Sequence, residues 1–270
     1  MIPTEWLLGA VVNFFVAAVA FRKNAVSVSG AVAGFVLGTT IYAAGAAYWA
    51  VLMVFFISST LLGRLSPGRR ATIHAIQTKG SRRDAWQVIA NIGAATLAAL
   101  AIAAGYGAVA VHAFSAAMAA ATADTWSSEI GVLSRTAPVS IRTLKPAVPG
   151  ISGAISRLGV AAGGAGALVV GLSAAGAVGV HGTTANVPEQ MLMTALMAFG
   201  LGTLGTLLDS LLGATVQAHY RTREGDVTER PKDSSGAANT LVQGLPWITN
   251  DVVNFLTTVT VACVALLLST

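Results

Sequence analysis

Long apolar runs recur along almost the whole chain, and they leave few folds open to it. Eight fall near residues 3–21, 26–43, 46–63, 86–104, 107–132, 153–180, 191–216 and 247–268. Most approach the roughly 20 residues that an α-helix needs to cross the ~30 Å hydrocarbon core of a bilayer. Backbone amides find no water in that medium, so only helices or a closed barrel can span it. A membrane-crossing strand needs only about 10 residues of alternating polarity, and these runs are longer and unbroken. The expected fold class is all-α: a polytopic transmembrane helical bundle of about eight spans, one integral membrane domain over residues 1–270. Composition agrees. Only 10% of residues are charged and 54% are hydrophobic, against about 25% charged in soluble domains.

The sixteen Lys and Arg residues occupy four places: Arg22-Lys23, Arg64 to Arg83, Arg135 to Arg157, and Arg221 to Lys232. With eight spans these places share one side, which the positive-inside rule makes cytoplasmic. Cytoplasmic loops are then expected near 64–85, 133–152 and 217–246, with both termini outside, in the plasma membrane or another internal membrane. The net charge of +5 and pI of about 9.8 reflect these loops rather than nucleic-acid binding. Arg22, Lys23, Arg64, Arg69 and Arg70 read as topology signals and contacts to anionic lipid. Ala18-Val-Ala20 resembles a signal-peptide cleavage site, but Glu5 precedes the first run and Arg22-Lys23 follow it. A retained first helix is expected. The single cysteine, Cys263, allows no intramolecular disulfide, and the four scattered histidines lack zinc-binding spacing.

Within the spans, small residues repeat at helical intervals. Gly30, Gly34 and Gly38, and again Gly159 and Gly163, read as helix-packing positions. Near Asp209, residues Gly202, Gly205, Gly213 and Gln217 share one face, with Thr206 and Ser210 beside them. Ala117, Ala120, Ala121, Asp124, Ser127, Ser128 and Gly131 make a similar face. Both helices run from outside to inside, and each carries an Asp followed by a hydroxyl residue: Asp124-Thr125 and Asp209-Ser210. Packed small face to small face, they bring two aspartates together. Glu129 follows Asp124 by five residues, about 140° around an ideal helix, and ranks behind it.

Carboxylates at such depth mark functional sites by default, because an unpaired charge in lipid is costly. Here the polar groups gather at the inner helix ends: Asp84 and Asn91, Asp124 and Glu129, Asp209, and Asn250, Asp251 and Asn254. An ion pathway would distribute them through the membrane instead. Lys79, Arg82 and Arg83, Arg142, Lys145 and Arg157, and Arg221 and Arg223 flank this ring of acids. Carboxylates beside several cations suit a divalent metal and a polyphosphate, since Mg²⁺ takes one or two carboxylates plus phosphate oxygens. The loop from Arg142 to Ser156 is stiffened by Pro146 and Pro149 and opened by Gly150 and Gly153. There Ser152 and exposed amides could bind phosphate, or the segment is a plain connection.

Five stretches in order resemble a known membrane family, the phytyl-phosphate kinases of plants and cyanobacteria with their archaeal, bacterial and animal relatives. They are Lys79-Gly-Ser-Arg-Arg-Asp-Ala-Trp-Gln-Val-Ile-Ala-Asn91, Ala123-Asp-Thr-Trp-Ser-Ser-Glu-Ile-Gly131, Val148-Pro-Gly-Ile-Ser-Gly153, Gly205-Thr-Leu-Leu-Asp-Ser-Leu-Leu-Gly-Ala-Thr215 and Asn250-Asp-Val-Val-Asn-Phe255. The resemblance implies transfer of the terminal phosphate of a nucleoside triphosphate, CTP or another, to an isoprenyl monophosphate such as phytyl phosphate. The product is the prenyl diphosphate, used in tocopherol biosynthesis. The implied cofactor is Mg²⁺, and the implied partners are the isoprenyl-phosphate lipid, the nucleotide and membrane lipids, with no nucleic acid; a homodimer is compatible with the sequence. On this reading Asp124 and Asp209 hold the metal, with Glu129 and Asp251 as further ligands or their supports. Lys79, Arg82, Arg83 and Lys145 contact phosphates, and Asn91 and Asn254 orient substrate. The hydroxyls of Thr125, Ser128, Ser152 and Ser210 complete the binding set. Two alternatives use the same residues: a CTP-dependent cytidylyltransferase acting on a lipid phosphate, and a transporter relaying ions through the aspartates.

Overall fold

The computed structural model describes residues 3–64, 76, 82–181 and 186–269. Arg69, Arg70 and Lys79 lie outside the described residues. Among those described, eight helices follow one another: α1 Thr4–Arg22, α2 Val28–Ala44, α3 Ala46–Leu62, α4 Ala85–Ala103, α5 Gly107–Gly131, α6 Arg157–His181, α7 Val187–Gly213 and α8 Asn250–Leu268. They coincide with the eight apolar runs. Five of them (α1, α4, α6, α7 and α8) are long and apolar enough to cross a membrane, while α2 and α3 have 17 residues each.

Local chemistry sets where the helices begin and turn. Ser27 caps α2 by accepting from the Gly30 amide at 3.2 Å. Asp84 caps α4 in a reciprocal box: its Oδ1 accepts from Gln87 N at 2.9 Å, and Gln87 Oε1 accepts from Asp84 N at 3.0 Å. Each such cap satisfies amides that the helix leaves unpaired. Between α2 and α3 the chain reverses at Gly45, whose φ of +148° suits a residue without a Cβ.

Helix α5 is the axis of the molecule. It packs against α3, α4, α6, α7 and α8, and every residue from Ala110 to Ala123 is buried. Eight of those fourteen are alanine, which lets neighbouring backbones approach closely. A Cβ added at Gly202 or Gly205 of α7 would come within 2.7 Å of Ala119 Cβ or 2.8 Å of Ala120 Cβ. The small-residue faces inferred from spacing therefore do meet. The outer surface is the reverse, with Leu8, Phe14, Phe15, Val32, Leu172 and Leu196 all more than half exposed. A soluble protein of this size rarely carries so much exposed apolar surface, whereas lipid accommodates it.

The two ends of the bundle differ. At one end the α1–α2 turn meets the start of α4: Ser27 N donates to Arg83 O at 2.9 Å and Arg83 N to Ala25 O at 3.1 Å. The α7–α8 connection meets the α3–α4 connection through Thr228 Oγ1, which donates to Ile76 O at 2.8 Å, and meets the α5–α6 connection through Glu229 and Ser152. Described residues of all four basic segments reach this end, among them Lys23, Arg64, Arg83 and Arg135 at one cavity and Arg230 beside Glu229. The opposite end holds the start of α1, the Gly45 turn, the α4–α5 turn and the end of α8, where Ser269 Oγ lies 2.8 Å from His112 Nδ1. Trp86 and Tyr106, 70% and 72% exposed, mark the two levels on either end of α4. The 19 residues of α4 between these levels rise about 28 Å, close to the thickness of a hydrocarbon core.

The connections at the basic end are themselves built. Between α5 and α6 a hairpin pairs β1 Val139–Ser140 with β2 Ala154–Ile155. Between α7 and α8 a three-stranded sheet places β3 His219–Arg221 between β4 Val227–Thr228 and β5 Thr240–Gln243. These short strands are absent from the sequence reading, because two to four residues carry no legible period.

Candidate functional site

A polar cavity of about 840 Å³ opens at the basic end among α4, α5, α7, α8 and the two structured loops. Its position follows from the packing just described. The small faces of α5 and α7 bring the side chains of Asp124 and Asp209 side by side at this cavity. Asp209 is buried, and its Oδ2 accepts from Thr257 of α8 at 3.4 Å. Asp124 is half-buried and faces the open space.

Most of the residues expected from the sequence line this one cavity. Arg83 and Asn91 come from the start of α4, and Thr125, Ser128 and Glu129 from the end of α5. Ser152 comes from the hairpin loop, Ser210 from α7, and Asp251 and Asn254 from α8. Glu129 reaches the space although it lies off Asp124's face, because the cavity wraps around the open end of α5. Arg82 is placed elsewhere: its guanidinium reaches Val26 O at 3.3 Å and sits 5.5 Å from the Phe21 ring. The turn that pins Arg83 to Ala25 and Ser27 makes the two neighbours diverge. Lys145 is exposed beyond β1, in a turn where Leu144 takes a φ of +54°, and does not line the cavity.

The loop around Ser152 carries the least anticipated feature. Gly153 has a φ of +86°, and a Cβ there would lie 2.5 Å from Ala214 Cβ. This close approach presses Ser152 against the end of α7. There Ser152 donates both its amide, at 3.0 Å, and its hydroxyl, at 2.5 Å, to Glu229 Oε1. Gln217 Nε2 donates to the Ser152 hydroxyl at 2.9 Å. Glu229, missed in the sequence, thus joins the cavity wall as a fifth acid beside Asp124, Glu129, Asp209 and Asp251. Burial pushes its carboxyl above the ordinary range, against the pull of the Ser152 and Gln217 bonds. In the second layer behind it, burial pushes the His219 imidazole down to about 4, so it stays neutral and Nδ1 accepts from Gln243 Nε2 at 3.2 Å. Ser152 as placed here supports an acid directly; its own hydroxyl is already engaged.

Among the described residues, no three His, Cys, Asp or Glu side chains converge on a single ligand position. The Asp124–Asp209 pair is what remains for a cation. That fits Mg²⁺, which keeps several waters and binds through one or two carboxylates plus substrate phosphates. It does not fit a closed structural metal cage, which needs four protein ligands. Glu129 and Asp251 line the same cavity without completing such a cluster.

Residues 11–262 match the integral membrane protein family DUF92. The chain belongs to the DUF92 family of integral membrane proteins. That match takes in every candidate site residue, from Lys79 to Asn254. The chain is also similar to Protein PGR of Arabidopsis thaliana, 28% identical over 274 residues, covering 92% of this chain and 91% of that protein. An uncharacterized membrane protein of Methanocaldococcus jannaschii, MJ0933, is 32% identical over 145 residues, 54% of this chain and 58% of that one. These DUF92 relatives are plant and archaeal, as the motifs implied. No solved structure matches the chain.

Proposed function

We propose that this DUF92 protein is a Mg²⁺-dependent membrane kinase that phosphorylates an isoprenyl monophosphate to its diphosphate at the basic end of the bundle. The observation that carries the reading is the contact between Asp124 and Asp209 in a polar cavity at the membrane boundary. Two neighbouring carboxyl groups need a cation or a proton between them, because like charges in a poorly screening medium repel strongly. Arg83, Asn91 and Asn254 line the same space and supply groups that hold phosphate and nucleotide.

Transfer requires little beyond positioning and charge neutralisation. An oxygen of the lipid monophosphate, already anionic, forms the new bond to the terminal phosphorus of the nucleotide. The bond from that phosphorus to the bridging oxygen breaks, and the nucleoside diphosphate leaves with its electrons. Bound Mg²⁺, held by Asp124 and Asp209, would neutralise charge on the phosphates. Arg83 offsets the charge that remains, and Asn91 and Asn254 orient the two substrates. Ser152 and Gln217 hold Glu229 in place at the cavity wall. By the positive-inside rule this end faces the cytoplasm, where nucleotide is available.

Purified protein, Mg²⁺, labelled CTP or ATP and phytyl, farnesyl or geranylgeranyl phosphate should yield the prenyl diphosphate and a nucleoside diphosphate. Release of pyrophosphate would replace the kinase by a nucleotidyl transfer. No nucleotide-dependent product with any of the three lipids would remove the reading altogether.

A further inference from the structure

Beside the polar cavity lies a second, smaller groove of about 70 Å³ lined by α1, α2, α3 and α4. Its walls are mostly apolar, formed among others by Ala17 of α1, Ala31 of α2, and Met53 and Phe56 of α3. Along α1 it extends from Ala20 to Asn13, seven residues or about 10 Å of helix. At its inner end Asn13 is already satisfied, donating to Gly9 O at 2.9 Å and accepting from Trp49 Nε1 at 3.1 Å. The space is several times what a water needs, yet its walls offer water few partners. A short hydrocarbon segment suits it better.

Two observations connect this groove to the cavity. Arg83, Gln87 and Asn91 line both spaces, so polar and apolar regions share one wall. The glycines of α2 then divide into two kinds. A Cβ at Gly30 would collide with the Arg83 carbonyl oxygen and one at Gly38 with Asn13 Oδ1, whereas one at Gly34 meets no atom within 4 Å. Packing accounts for Gly30 and Gly38 but not for Gly34, which borders the groove. The sequence treated the three alike.

We propose that this groove receives the head-proximal hydrocarbon of a phosphate-bearing amphiphile whose head group occupies the polar cavity, with Gly34 keeping the groove open. The proposal rests on the cavity taking a lipid phosphate, as in the function proposed above. Only a molecule whose polar and apolar parts adjoin fills both spaces across the Arg83–Gln87–Asn91 wall. At about 10 Å the groove holds the first carbons of the chain and leaves the remainder to the bilayer.

The test is photolabelling of the full-length protein in lipid nanodiscs with an alkyl phosphate carrying a diazirine three to five carbons from the phosphate. Adducts are expected on Ala31, Gly34, Met53 or Phe56, and n-dodecyl phosphate should compete them away. Labelling at these positions should fall at least tenfold in Gly34→Phe and persist in Gly176→Phe. Gly176 is exposed on α6 and also has no atom within 4 Å of an added Cβ. Adducts confined to the outer surface, equal labelling by the same chain without its phosphate, or full labelling of a folded Gly34→Phe would each overturn the proposal. Mapping on the unaltered protein decides it if Gly34→Phe does not fold. Turnover with nucleotide is measured on the same samples. Groove labelling without turnover removes the kinase reading alone, and turnover with labelling elsewhere removes the groove alone.

Discussion

Replacing Asp124 or Asp209 by Asn keeps the side chain's shape and removes its charge, so the two substitutions isolate electrostatics from packing. Either should lower nucleotide-dependent turnover by roughly 10²-fold or more, the scale for losing a group that stabilises charge in the transition state. The protein should still purify as a folded species, because a neutral amide relieves the contact between two acids. Turnover that survives Asp124→Asn would end its assignment as a metal ligand. His219 makes a separate, pH-dependent contribution. Its imidazole is held near 4 in the folded protein against about 6.5 in an unfolded chain. Between those values the unfolded chain binds a proton that the folded one does not, so stability falls as the pH drops from about 6.5 to 4. Glu229, raised by burial, acts in the opposite sense, since its folded form keeps a proton to higher pH. The thermal midpoint of His219→Gln should therefore lose less than that of the unaltered protein between pH 7 and pH 4.5. Asp124 and Asp209 were legible because helical periodicity places each on a small-residue face. Glu229 was not: it sits in an aperiodic connection and becomes a site residue only when the Gly153 turn presses Ser152 against α7.

At the scale of elements, spacing correctly paired α5 with α7 but did not separate structural glycines from the one facing open space. The distinction lies in the neighbour, and a single sequence does not show which helix is adjacent. Gly205→Leu tests the pairing directly. Its Cβ alone would come within 2.8 Å of Ala120 and 3.2 Å of Val261, and a whole isobutyl group must force α5, α7 and α8 apart. Overpacking of this kind costs about 1–3 kcal/mol. Unfolding in mixed micelles should show that loss for Gly205→Leu and almost none for Gly176→Leu. The capping box at Asp84 and the turn at Ala25–Ser27 show a different use of sequence. By tying Arg83's backbone to another connection, they orient its side chain toward the cavity and Arg82's toward Phe21. Two adjacent arginines with the same chemistry thus receive different surroundings.

Across the whole molecule, the bundle separates a basic, loop-rich end from a nearly uncharged one. A transmembrane orientation follows that cysteine labelling can read. In a Cys263→Ser background, Glu224→Cys at the basic end should react with a membrane-impermeant maleimide only after the cells are permeabilised. Tyr106→Cys at the opposite end should react in intact cells. The reverse pattern would place the cavity outside and remove the nucleotide-dependent reading. The eight helices were readable from run lengths because lipid allows a backbone so few solutions. The strands of the connections, which obey no such constraint, were not.

Helix α5 has a consequence for how the molecule is made. It is 25 residues long yet is not among the five long, strongly apolar helices, and it carries Asp124 toward one end. As the chain leaves the ribosome, α5 is complete before α6, α7 and α8 exist to cover its alanine surface and before Asp209 exists to meet Asp124. Roughly half of the polypeptide must therefore wait in the membrane with its future centre partly uncovered. Helices α3 and α4 can cover part of α5 at that stage, but its contacts with α6, α7 and α8 wait on helices not yet translated.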